Sequence, residues 1–257
     1  MTIRPGISLL IIGSAAYVIA LVAFIPASWL AWGLSRTNAP FVLTRVQGSL
    51  WNGQGQFYLK EVRGNSFVSP TIYWQLSPVK LIIGKLGFKA KGRNSEVGLL
   101  IEGSTSPGSI NFSKVHLSIP IRLLAAVYAP LTYAGLNGRA TISSDELYIG
   151  RNIVSGGADV KVDALSSSLI ETKPLGSYLI KARSENNIVK ARVSTTEGVL
   201  GASGDVVWKP LHGGTVQIDA TVNTEGLDSA TTSMVRRLGV ADNNGNVRWR
   251  WNGTFRP

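Results

Sequence analysis

The sequence predicts a mainly β protein: an N-terminal transmembrane helix followed by a twisted antiparallel β-sheet domain with a few short helices. Three observations carry this. From Pro5 to Ser35 no charged residue occurs. Beyond Arg36, apolar and polar residues alternate with period two in one short segment after another. The separators between those segments are turn formers, and only three soluble stretches have helical spacing.

The first element is the apolar run. It exceeds the roughly twenty residues needed to cross a bilayer core. A cleaved signal peptide has a shorter apolar region and a small-x-small cleavage site. Here Trp29 and Trp32 occupy the distal end, where an interfacial aromatic belt would lie. The run therefore reads as an uncleaved anchor, spanning from about Ile7 to Ala31. The organisation expected is a short tail over 1–6, an anchor and interface over 7–34, and an exported β-rich domain over 35–257. Pro26 falls near the exit end, where it would kink or end the helix.

The strands follow in order. They are expected at 56–62, 71–76, 96–103, 139–149, 157–165, 177–184, 188–195, 204–209, 215–223 and 246–255. Ser-Glu-Asn-Asn, Thr-Glu-Gly, His-Gly-Gly and Asp-Asn-Asn-Gly lie between strands and read as hairpin turns. The three helical stretches are 77–86, 119–131 and 228–240, the last with Asp228 as N-cap and Gly239 as stop. Their apolar faces read as core, packed on the sheet. "GSLWNGQGQFYL", "AGLNGRATI" and "GVLGASGDVVW" echo one another as glycine-bearing turns entering strands, without a fixed repeat period.

Composition excludes several function classes. The 257 residues include no cysteine, so there is no disulfide framework, thiol nucleophile or zinc ribbon. His116 and His212 are the only imidazoles, and no HExxH, GxSxG or phosphate-binding loop is present. "DNNGN" at 242–246 begins like a calcium loop, but Val247 stands where that loop needs glycine. No catalytic, cofactor or metal site is expected, and the chain does not read as an enzyme. Net charge is +11, with many basic residues in the first third after the anchor, from Arg36 to Arg93. In an exported, tethered chain this suits anionic lipid headgroups or an acidic partner better than nucleic acid. A solvated face without a partner is the plainer alternative.

Trp51, between Gly48 and Gly53, reads as an anchor for a turn opening the first long strand, with ligand stacking as the alternative. Trp74, Trp208, Trp249 and Trp251 fall within expected strands, so a shared aromatic core is the economical reading.

Taken in order, "VQGSLWNGQGQ" (46–56), "YWQLSPVKLIIGKL" (73–86), "GLNGRATISSDELYI" (135–149), "PLGSYLIKA" (174–182) and "LGVADNNGNVRWRWNG" (238–253) resemble the type II secretion system protein N family. The motif positions are Gly48, Trp51, Gly53, Trp74, Gly135, Gly138, Leu175, Gly176, Trp249, Trp251 and Gly253. More distantly the chain is similar to AsmA-like proteins, whose curved sheets can form an apolar groove. Residues 150–173 match neither. The resemblance implies a single-pass protein of the bacterial inner membrane with a periplasmic domain, and an accessory or assembly role in the secretion apparatus. Implied partners are inner-membrane platform proteins, the outer-membrane secretin and membrane lipid. A lipid-handling module or a generic membrane-anchored scaffold are the alternatives.

Overall fold

A computed structural model describes residues 10, 13–14, 16–17, 20–37, 41–62, 65–126, 135–151, 153–170, 174–210, 214–237, 239–242 and 245–254. Nearly all of them belong to one 15-stranded sheet. The strands are β1 (Phe41–Gly48), β2 (Asn52–Val62), β3 (Asn65–Val68), β4 (Ile72–Ser77), β5 (Leu86–Arg93), β6 (Gly98–Ser106) and β7 (Ser109–Pro120). They continue as β8 (Leu136–Gly150), β9 (Val154–Ser167), β10 (Gly176–Glu185), β11 (Ile188–Gly198), β12 (Gly201–Lys209), β13 (Thr215–Asn223), β14 (Val240–Ala241) and β15 (Asn246–Thr254). Each strand from β4 to β12 pairs with the next in sequence, and β13 pairs with β15, so the sheet is a long antiparallel meander. Short turn-forming connections dictate this topology, because adjacent antiparallel strands need only a hairpin.

Every expected strand is present, His116 in "KVHLSI" lies on strand β7 as that context predicts, and the sequence reading missed β1, β3, β5 and β14. β5, "LGFKAKGR", escapes a search for alternation because glycines weaken its pattern. In the sheet, Gly87 and Gly92 lie where a Cβ would press on Ser77 and on Thr71–Ile72, at the two ends of β4.

The helical expectations fare unevenly. Helix α1 (Ser28–Ser35) packs on β1, and α2 (Ser229–Arg236) forms inside the expected 228–240. The Asp228 carboxylate accepts from Thr231 N at 2.8 Å and from Thr231 Oγ1 at 2.6 Å, as an N-cap should. The other two are 3-10 turns, Pro78–Ile83 and Ile121–Ala126. The stretch 119–131 begins as strand, since β7 runs through Pro120, and 127–134 lie outside the described residues.

The apolar N-terminal run is not one helix. Its helical part ends at Ala23, Phe24–Ala27 form a turn, and α1 follows. Pro26 has no N–H to continue the ladder, and the sheet captures the chain there: Ala27 N donates to Gly48 O at 3.1 Å and Leu50 N to Ile25 O at 2.8 Å. Among the described residues no helix is long and apolar enough to cross a membrane. The expected continuous span from Ile7 to Ala31 is thus interrupted, and Ile7 itself lies outside the described residues.

Register gives the sheet two unlike faces, because residues paired across strands point to the same side. One row runs Leu99, Leu117, Ile142, Val160, Ile180 and Val193 across β6 to β11. The neighbouring row, one residue along, runs His116, Ser143, Asp159, Lys181, Arg192 and Asp205 across β7 to β12. Among the described residues no second layer covers the apolar face along its length. The sheet coils instead: the turn Ile121–Ala126 touches both β8 and β2, five places apart in strand order. The cluster of buried apolar residues is accordingly small, Ala27, Leu43 and Trp74, while Val97, Ile121, Ala140, Val235 and Val247 are buried elsewhere along the chain. The accessible surface is 16562 Å² for 27.5 kDa. A compact monomer of that mass would expose about 11,000 Å².

Candidate interaction surface

The turn joining β1 to β2 is the joint between the N-terminal segment and the sheet. Gly48 has φ 91°, and a Cβ there would sit 2.5 Å from Asn52 O. Only glycine suits both conditions. Ser49 N then closes the turn on Asn52 O at 2.8 Å. Trp51 reaches backward, its Nε1 donating to Val22 O at 2.7 Å, while its own carbonyl accepts from Leu76 N at 2.7 Å. Trp51 is half-buried, so the burial expected of it belongs to Trp74, which is 9% exposed. Trp74 donates to Leu50 O at 3.1 Å and packs with Ala27, Leu43, Leu30, Leu34, Phe57 and Leu76. Its ring lies over Gly53, where a Cβ would be 2.4 Å from Cζ2.

This pairing of an aromatic with a glycine recurs. Phe88 covers Gly103, Tyr178 lies beside Gly176, and Trp251 covers Gly253. In each case the ring fills the gap that a missing side chain leaves in the pleated surface. The glycine–aromatic motifs of the sequence are therefore sheet-building devices, and Trp51 serves the same end through its hydrogen bonds.

The remaining motif residues fall in two further places. Gly135, Gly138, Leu175 and Gly176 lie at one end of β8 to β10. There Leu175 is buried, its N–H donating to Leu165 O and its carbonyl accepting from Leu200 N, and Gly176 abuts Gly198. Burial pushes the Tyr178 hydroxyl up from its ordinary pKa while it donates to Leu200 O at 2.9 Å. Trp249, Trp251 and Gly253 occupy β15, ten strands away from Trp74 in sheet order. The shared aromatic core is thus overturned: Trp249 and Trp251 are 38% and 41% exposed on the apolar face. Trp208 lies on that face too, opposite Val189 and Val216. Alternation alone could not tell two distant strands from two adjacent ones.

The polar face is laced with ion pairs: Lys89–Glu102 at 2.6 Å, Arg183–Asp159 at 2.6 Å, Arg192–Asp205 at 3.0 Å and Arg248–Asp219 at 2.5 Å. Hydrogen bonds from Lys89, Arg183 and Arg248 hold the Glu102, Asp159 and Asp219 carboxyls below the usual carboxylate range. Two open clefts of about 500 and 650 Å³ sit on this face, meeting at Tyr73 and Lys91. Among the described residues no cluster of His, Asp and Glu could hold a metal ion. His116 lies on an open strand between Leu100 and Ser143, and His212 falls outside the described residues. The arrangement offers surfaces for contact: an apolar face, a charged face and an exposed aliphatic turn at Pro78–Ile83.

That turn is the feature the sequence reading missed. The spacing of "PVKLII" predicts a buried apolar side, and no residue of it is buried. Ser77 and Gly84 bracket only six residues, too short a segment to lay an α-helical stripe on a sheet.

Comparison with known proteins gives one result. The family model for type II secretion system protein N matches residues 39–250. No curated protein matches the chain, and no solved structure does.

Proposed function

The chain belongs to the type II secretion system protein N family, and on that premise we propose that it is an accessory or assembly component held at the inner membrane by residues 7–34. The β-rich part, 35–257, works in the periplasm. Membership makes the chain part of secretion machinery rather than of an enzyme family. The observation that carries the mechanism is the long one-sided sheet, whose apolar face has no covering layer among the described residues and ends in the exposed Trp249 and Trp251. Aromatic residues at such positions are the common anchors of protein interfaces. We therefore read the apolar face as the docking surface for a platform protein or the secretin. The membrane anchor supplies proximity, and the tether raises the local concentration of its partners without any new contact.

Deletion of the gene tests the role. Release of secreted enzymes into the medium should fall, and the tagged protein should co-purify with platform proteins or secretin. Unchanged release together with an empty pull-down would remove the proposal. A second reading has a specific observation in its favour. The apolar row is unbroken from Leu99 to Val193, as an acyl chain lying across the strands would require. Phospholipid found by mass spectrometry in the purified protein, and lost when Ile142 and Ile180 are changed to Asn, would favour that lipid-handling reading.

A further inference from the structure

The turn Pro78–Ile83 between β4 and β5 puts aliphatic side chains into solvent. Val79, Leu81, Ile82 and Ile83 are 72%, 48%, 88% and 69% exposed. Single exposed apolar residues are ordinary, but consecutive ones at the tip of a short turn mark a contact site. The sheet has an apolar face close by, yet the turn does not fold onto it. Gly84, at φ 68°, closes the turn and returns the chain directly to β5.

Where this turn lies is fixed by hydrogen bonds. It leaves β4 at Ser77, beside Leu76, whose N–H donates to Trp51 O. Trp51 in turn donates to Val22 O, and Leu50 N to Ile25 O. The turn therefore shares one end of the strands with the N-terminal apolar segment, where Leu21, Phe24, Trp29 and Trp32 are also exposed.

Charge points the same way. No acidic residue occurs between Glu61 and Glu96, while Lys80 lies within the turn and Lys85 just after it. Neither lysine joins an ion pair among the described residues. Aliphatic tips with flanking lysines suit the boundary between headgroups and acyl chains, where the methylenes bury and the ammonium groups meet phosphate.

We propose that Pro78–Gly84 is a second membrane contact, inserting Val79, Ile82 and Ile83 into an anionic bilayer with Lys80 and Lys85 at the headgroup phosphates. This rests on the reading of residues 7–34 as an anchor. One anchor alone lets the sheet swivel. A second contact on the same end sets β1, β2, β4 and β5 pointing away from the membrane and fixes which way the apolar face looks.

The chain has no cysteine, so single labels are simple to place. Ile82→Cys, Leu21→Cys and Ser95→Cys would each carry an environment-sensitive dye, Ser95 being exposed at the opposite end of β5. The full chain is reconstituted in phosphatidylcholine vesicles with and without phosphatidylglycerol, and quenching by brominated lipid is read. The Ile82 dye should be quenched several-fold more than the Ser95 dye, more strongly with phosphatidylglycerol, and less in a Lys80→Glu, Lys85→Glu background. A quenched Leu21 dye with an unquenched Ile82 dye overturns the loop contact and leaves the anchor standing, with a protein partner then the occupant of the turn. A quenched Ile82 dye with an unquenched Leu21 dye supports the loop contact and removes the anchor. Quenching at neither overturns both.

Discussion

Replacing Gly53 by Ala puts a methyl group where the Trp74 ring already lies. The new Cβ would be 2.4 Å from Trp74 Cζ2, 2.6 Å from Cε2 and 2.9 Å from Ser49 O. Trp74 cannot simply step aside, since its Nε1 is bound to Leu50 O and its ring is 9% exposed within the core that holds α1 on the sheet. Overpacking of this kind costs about 1–3 kcal/mol. Trp74→Ala alone should cost about 3–5 kcal/mol, the usual range for deleting a buried aromatic. The informative quantity is the double mutant. With the ring gone, two of the three close contacts vanish and only Ser49 O remains. The pair should then be less destabilised than the sum of the single changes, by about 1–2 kcal/mol, within the range of coupled neighbours. Urea unfolding of the full chain in detergent, followed by far-UV circular dichroism, measures all four corners of the cycle. Additivity would refute the claim that the ring stands in for the missing glycine side chain.

Three further outcomes follow from the same geometry. Trp51→Phe keeps most of the ring and loses the 2.7 Å bond to Val22 O, so it should cost about 0.5–1.5 kcal/mol in the same melts, well short of a fully buried Trp. The Asp219, Asp159 and Glu102 carboxyls have folded pKa values depressed by hydrogen bonds from Arg248, Arg183 and Lys89. Their stabilisation is present above the unfolded carboxylate pKa of about 4 and is lost as pH falls through the lower folded values. The melting temperature should thus drop below about pH 4, less steeply in Asp219→Asn, and high salt should blunt the effect, as screening of exposed pairs requires. Trp249→Ser, at a ring that is 38% exposed and covers no glycine, should leave the melt nearly unchanged while weakening co-purification of the secretion partner; a large loss of stability would mean that this ring belongs to a core.

The strands were legible because each carries its own alternation and its own turn residues, which are local properties. Asp228, capping α2 through Thr231, was legible for the same reason. What escaped was everything set by distant pairing. β5 and β1 have alternation broken by glycine or by a bulge between Thr44 and Gln47, and only their neighbours hold them extended. The break at Phe24–Ala27 depends on backbone bonds to Gly48 and Leu50, far along the chain, so hydropathy alone reads straight through it. Of the motif residues, Gly48, Gly53 and Trp74 meet at one joint, because β1, β2 and β4 pair there. Trp249 and Trp251 resemble them in sequence and lie at the far end of the sheet. Alternation says which side a residue faces, never how far along the sheet it sits.

The central claim is that the apolar face, not the charged one, meets the secretion apparatus. Site-specific photo-crosslinking in secreting cells tests it most directly. A photoreactive residue at Trp251, on the apolar face of β15, should capture a platform protein or secretin, and the same residue at the adjacent Arg250, on the charged face, should not. Capture from Arg250 alone, or from neither position in cells that secrete normally, would contradict the account.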